Sequence, residues 1–205
     1  MIQNKGDLKK YIELDLKALG LYPLTIKNRV AGLLQPSIWK FQVRLRKMEY
    51  LANCCKRNKF EKIIFWIRYR LFESYGYKMG FTIPINVFGP GLCICHIGTI
   101  IINDNVKVGN NCRIHAGVNI GNSAELGKNW VPDNTPIIGD NVYIGPGAKI
   151  FGKITIGSNV RIGANAVVNK DVTSGVTVGG IPAKIISETG SYHGLQVLEH
   201  DENTL

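Results

Sequence analysis

The 205-residue sequence contains no run of about 18 uncharged apolar residues, so nothing in it reads as a membrane-spanning helix. Its opening, MIQNKGDLKK, is polar and lacks the apolar core of a secretory signal. Cysteine is sparse: five residues (54, 55, 93, 95 and 112), an odd number in no disulfide spacing, which predicts reduced thiols and a cytoplasmic chain. Acidic residues are scarce in one half only. Residues 1–80 hold six Asp/Glu against 17 Lys/Arg, a balance of +11, whereas residues 81–205 hold nine against eight, a balance of −1. The halves are therefore different objects, and a polyanionic partner concerns the first alone. No Walker A pattern is present, and GPGLCICHIG does not open a helix as a dinucleotide-binding glycine loop would.

What the second half does have is a repeat. From Ile102 the chain divides into sixes: INDNVK VGNNCR IHAGVN IGNSAE, an interruption, then IGDNVY IGPGAK IFGKIT IGSNVR IGANAV VNKDVT. The first residue of each six, at 102, 108, 114, 120, 138, 144, 150, 156, 162 and 168, is Ile or Val. The fifth is small or β-branched throughout, from Val106 and Cys112 to Ala166 and Val172. The second is Gly in six of the ten units and Asn in two. Neither helical nor simple strand periodicity yields this pattern. Each unit reads as a short strand and a corner, with first and fifth side chains inward and the Gly or Asn taking a tight corner that bulky residues resist. Three such flats close one coil, and stacked coils form a parallel β-helix.

The repeat is broken at LGKNWVPDNTPI, residues 126–137, which predicts a protruding loop. Its Trp130 either stacks on an acceptor such as a sugar ring or anchors the loop on the wall. Counting sixes backward from Ile102 puts His96 at a first, aliphatic position, and a broken local rule is where function is expected. His115 stands where the repeat prefers Gly, as a second candidate base or acceptor-binding group, or else a solvated wall residue. Cys93, Cys95 and His96 could be drawn as metal ligands, but alternation puts the cysteines on one face and His96 on the other, so no metal is expected.

The repeat resembles the hexapeptide-repeat acyltransferases. That resemblance implies a mainly β fold, a left-handed parallel β-helix against the usual crossover hand, preceded here by an α-helical N-terminal region. It also implies a homotrimer or dimer of trimers with active sites between prisms, and acyl transfer from coenzyme A. More narrowly, GPGLCICHIGTIIINDNVKVGNNCRIHAGVNIG, IGDNVYIGPGAKIFGKITIGSNVRIGANAVV and GGIPAKI are similar to serine acetyltransferases over about residues 80–186. There, a His followed two residues later by Gly is the catalytic base, which implies His96 with Gly98. The chain departs from that pattern where a carboxylate precedes the His and where a second one orients it, for these places hold Cys95 and Phe81. The Arg-His pair at the loop end is replaced by Asn134 and Thr135. The chain looks more like serine acetyltransferase-like proteins of capsule, exopolysaccharide and O-antigen synthesis, which GFTIPINVFGPGL resembles in particular.

The expected activity is acetyl-CoA-dependent O-acetylation of a sugar hydroxyl in a polysaccharide or glycan precursor. A histidine suits removal of a hydroxyl proton near neutral pH, so His96 acts as general base in direct transfer without an acyl-enzyme. Backbone N–H groups around Gly121–Asn122 are expected to hold the oxyanion, and Asp133, Asp104 or a carbonyl to orient His96. Asp133 and Asn134 join His115 and Trp130 as candidate acceptor contacts. The resemblance puts coenzyme A along the later coils, against Gly145, Pro146, Ala148 and Ala164, with Arg161 and Lys184 meeting its phosphates. Arg161 also has a plain reading as an exposed charge. Two alternatives stand beside this: a serine O-acetyltransferase with an altered serine site, and a non-catalytic β-helical scaffold.

The predicted organisation is a basic helical region (1–80), the β-helix (81–186) and a polar tail (187–205) in which His193 and His200 have no catalytic role. Helices are expected over DLKKYIELDLKALG, stopping at Gly20, over SIWKFQVRLRKMEYLANCC with Ser37 as cap, and over KFEKIIFWIRYRLFESYG. In the last, Phe60, Ile64, Ile67 and Leu71 share one face with basic residues beside them. This block either packs on the prism and builds the oligomer or rests, through residues 37–80, on an anionic membrane at the inner face of the cell membrane. Nucleic acid is not an expected partner, because no recognition motif accompanies the charge.

Overall fold

The computed structural model describes residues 1–21, 36–55, 58–123 and 134–191. Trp130, Asp133, Ala124, His193 and His200 lie outside the described residues. Among the described residues three helices come first: α1 (Lys5–Ala18), α2 (Pro36–Cys54) and α3 (Lys59–Tyr77). Asn4 caps α1 by accepting from the Asp7 N–H at 2.9 Å. Asn58 caps α3 in a reciprocal box with Glu61. Helix α2 opens at Pro36, so Ser37 lies inside its first turn rather than before it; proline tolerates that place because the first helical N–H has no partner.

Fourteen short strands follow among the described residues and form three walls. One contains β1 (Phe81–Thr82), β3 (Ile100–Ile102), β6 (Asn119–Gly121), β9 (Lys149–Phe151) and β12 (Val167–Val168). The second stacks β4 (Lys107–Val108), β7 (Ile137–Ile138) and β10 (Thr155–Ile156). The third runs β2 (Cys93–Ile94), β5 (Arg113–Ile114), β8 (Tyr143–Ile144), β11 (Arg161–Ile162), β13 (Thr177–Gly180) and β14 (Ala183–Ser187). All pairings are parallel except β13 with β14, whose hairpin closes the coil at GGIPAK. Each wall has one inward column, such as Ile94, Ile114, Ile144, Ile162 and Val178. The last wall residues pack further than the sequence boundary at 186. Ser191 donates its N–H to the Asn159 carbonyl at 3.0 Å and its hydroxyl to that of Asn141.

The corners correct one expectation. Left-handed backbone falls on the fourth residue of the six, not the second: Asn111, Asn141, Asn159 and Asn165 have φ between 56° and 59°, and Gly117 and Gly147 share the position. Asparagine tolerates this conformation, and here its amides also stack into a ladder, Asn111 to Asn141 at 2.9 Å and Asn141 to Asn159 at 3.0 Å. Glycine at the second position answers a different demand. A Cβ on Gly145 would meet the Ile162 carbonyl and Ala164 nitrogen at 2.8 Å, because the next coil's corner lies directly against it. Close stacking of coils, rather than turn geometry, fixes these glycines.

Candidate active site

The first coil carries two extra residues between consecutive walls. Ile94 pairs with Ile114 and Ile102 with Ile120, so eight residues separate two inward positions that are six apart one coil later. The excess bulges out at His96–Gly98. Ile94 therefore takes the inward place that backward counting assigns to His96, and His96 is exposed on the outer corner. Gly98 makes the bulge possible with φ 146°, and its N–H donates to the Met79 carbonyl at 3.1 Å, tying the corner to the end of the helical region.

Cys95, His115, Gly145 and Gly163 stack at this same corner, each N–H donating to the strand of the next coil. His115 comes next to His96, with ring centroids 5.7 Å apart, and packs on Tyr143 at 5.1 Å. Its Nε2 is buried without a hydrogen-bond partner among the described residues. Burial first, then the positive potential of His96 and Arg113, holds its pKa below the ordinary histidine value. Among the described residues no carboxylate forms an ion pair with either histidine. Asp104 stands past β3, on another corner, so one chain alone does not bring it to His96. Cys93 and Cys95 face the same way, their sulfurs 4.0 Å apart, and no group of three His, Cys, Asp or Glu gathers for a metal among the described residues.

A pH experiment follows from the depressed His115. Its unfolded form takes up a proton at a higher pH than the folded form, so stability present above the ordinary histidine range is lost as pH falls through it. Thermal melting of wild type should therefore decline more between pH 7.5 and pH 5.5 than that of His115→Gln (about one histidine's protonation range either side of neutrality). Parallel declines would contradict the burial argument.

The other predicted residues divide between two corners. Gly145, Pro146, Ala164 and the exposed Arg161 lie on the His96 corner or the wall leading to it, and Lys184 lies exposed on β14 of that wall. Gly121 and Asn122 end β6, at the corner where the loop leaves, so one chain alone does not bring them to His96. Asn134 closes that loop by donating its amide to the Ser123 carbonyl at 3.1 Å and hydroxyl at 2.8 Å. Thr135 and Pro136 are buried and Ile137 already belongs to β7, so the loop ends earlier than the sequence indicates. Ala148 is a correction. It is fully buried, its N–H donates to Gly145 and its carbonyl accepts from Asn119, which leaves nothing to offer a ligand. Phe81, in a place where a carboxylate was looked for, is 1% exposed and packs edge-on to Phe41 at 5.1 Å. Arg113 and Tyr143 escaped sequence reading. Their only signal was register: with Cys93 and Arg161 they form the outward column just before the inward one.

Compared with known families, residues 135–170 match the bacterial transferase hexapeptide (six repeats). Compared with curated proteins by sequence, the chain has no significant match. Among solved structures it is similar to the serine acetyltransferase of Brucella abortus strain S19, with TM-score 0.71 and 27% identity over 92% of this chain and 72% of that one. The same enzyme in complex with coenzyme A gives 0.70 and 28% over 91% and 70%. The serine acetyltransferase of Neisseria gonorrhoeae gives 0.68 and 29% over 97% and 71%.

Proposed function

We propose that this hexapeptide-repeat acyltransferase carries an acetyl group from acetyl-CoA to a hydroxyl of a sugar in a polysaccharide or glycan precursor. The observation that carries the reading is the composition of the His96 corner: an exposed imidazole, a second one 5.7 Å away, and no carboxylate paired to either among the described residues. The ammonium of an amino acid requires an anion to replace its hydration. Sugar hydroxyls require only neutral donors and acceptors, which the exposed imidazole of His96 and the backbone groups of this corner supply.

In this mechanism His96 accepts the proton of the acceptor hydroxyl while its oxygen attacks the thioester carbonyl. Collapse of the tetrahedral intermediate breaks the carbon–sulfur bond, and the imidazolium returns its proton to the departing thiolate, giving acetyl ester and free thiol. Because Gly121 and Asn122 lie on another corner, their donation to the oxyanion at this His96 comes from a neighbouring prism, in a homotrimer of left-handed β-helices. Arg161 and Lys184 meet the donor's phosphates, and Arg161 stands over the Tyr143 ring at 5.9 Å. The protein works in the cytoplasm, peripheral to the inner face of the membrane.

The test is thiol release from acetyl-CoA by wild type offered L-serine beside sugars and glycan oligomers. Release that depends on a sugar and not on serine supports the reading. Serine-dependent release would show that Cys95 and Phe81 are tolerated in a serine site, and no release with any acceptor, together with no coenzyme A binding, would point to a scaffold.

A further inference from the structure

Helix α3 turns its apolar side outward. Phe60, Ile63, Ile67 and Leu71 follow helical spacing along it, and they are 69%, 58%, 47% and 65% exposed. Trp66 beside them is 62% exposed. The inner side of the helix is held by Phe72 and Gly76. From Phe60 to Leu71 the helix thus presents an apolar ridge roughly 17 Å long.

The ridge runs into a groove between α2 and α3 of about 550 Å³. Leu71 belongs to both, and Met48, Leu51 and Phe72 continue the apolar floor. Among the described residues the groove's charged lining is cationic: Arg44, Lys47, Arg68 and Lys78, with no carboxylate. Arg44 is held in place over the Tyr75 ring at 3.9 Å. Apolar surface of this extent, rimmed by one sign of charge, marks an interaction surface.

We propose that the α3 ridge and the α2–α3 groove form a docking site for a bilayer that contains anionic phospholipid. A second copy across a two-fold axis is the obvious rival, but such a contact sets each patch against its own equivalent, and would confront these cations with themselves. Phosphate headgroups neutralise them instead, while the ridge enters the acyl boundary and the long Arg and Lys stems lie along it. The helix ends two residues before Met79–Gly80, whose carbonyl at Met79 braces the His96 corner. An acceptor sugar carried on a lipid would therefore be delivered beside the catalytic corner. That consequence rests on the sugar-acceptor reading; the docking itself does not.

The experiment is cosedimentation of the full chain with phosphatidylcholine vesicles, alone and doped with phosphatidylglycerol. The doped vesicles should bring the protein down and shift Trp66 emission to the blue, a shift missing in Trp66→Phe. Lys47→Glu and Arg68→Glu should each weaken binding roughly fivefold or more, and Ile67→Ser with Leu71→Ser should abolish it without lowering the melting temperature. His96→Ala should bind vesicles as wild type does, which separates this site from catalysis. Equal affinity for both vesicles, or none for either, overturns the proposal. So does a doubling of mass in solution that the same substitutions abolish, which would assign the patch to a second copy.

Discussion

Alanine in place of Arg46 should destabilise the fold by about 3–5 kcal/mol, lowering the melting temperature by roughly 10 °C. Arg46 is fully buried, and each of its contacts is long-range or charged. Its Nε donates to Asp15 at 2.8 Å, and its two terminal nitrogens reach Glu49 at 3.0 Å, the Phe88 carbonyl at 2.8 Å and that of Gly89 at 2.7 Å. Asp15 in turn accepts from the Gly91 and Leu92 N–H groups at 2.9 Å each, and Glu49 from that of Asn86 at 2.9 Å. One guanidinium thus joins α1, α2 and the lead-in to the first coil. Burial would pull its pKa down, and Asp15 with Glu49 outweighs that and holds it up. Without Arg46 two carboxylates stay in the interior with no cation. Burial already pushes the Glu49 pKa up against the pull of Arg46, and the loss would push it further. Thermal denaturation of Arg46→Ala beside Arg46→Lys checks this. Lysine keeps the charge but cannot fork to both carboxylates and two carbonyls, so it should fall between the two. An alanine variant as stable as wild type would mean that the cluster adds nothing beyond packing.

His96→Ala should lower acceptor-dependent turnover by about 10²–10⁴-fold, the range a positioned general base contributes. Stability should not change, because the side chain is exposed and the bulge is held by Gly98 and Met79 rather than by the imidazole. Affinity for coenzyme A should not change either, since Arg161 and Lys184 lie elsewhere on the wall. The expected signature is thus a loss of kcat with the donor KM retained. A loss confined to donor KM would make His96 a binding residue, and His115 the better base.

The coil was legible in the sequence because its signal is redundant. Ten units repeat one inward side chain, and the wall columns simply stack them: Ile114, Ile144 and Ile162 lie over one another as the sixes require. The position of His96 was legible only in part. Backward counting has no later unit to check it, and the two extra residues between Ile94 and Ile102 leave the hydrophobic pattern intact while turning the imidazole outward. The corner glycines were assigned to the wrong cause, since Gly145 and Gly139 face the next coil's backbone rather than a left-handed turn. That contact joins residues 18 or 19 positions apart and leaves no mark within one repeat. The Arg46 cluster was invisible for the same reason: Asp15 and Gly91 are 76 residues apart, and each reads locally as an ordinary surface charge or turn. The apolar stripe of α3 was read as Phe60, Ile64, Ile67 and Leu71, but Ile63 rather than the half-buried Ile64 is its exposed member, and which way it faces is decided by Phe72 and Gly76 packing toward Phe41 and Phe81.

The most direct test of the central claim measures thiol release from acetyl-CoA with a glycan acceptor, comparing wild type with His96→Ala. Acceptor-dependent release in wild type that falls at least about a hundredfold in the variant, at unchanged melting temperature, is the predicted result. Equal release by both proteins would contradict the account and pass the role of base to the half-buried His115, whose ring lies 5.7 Å from that of His96.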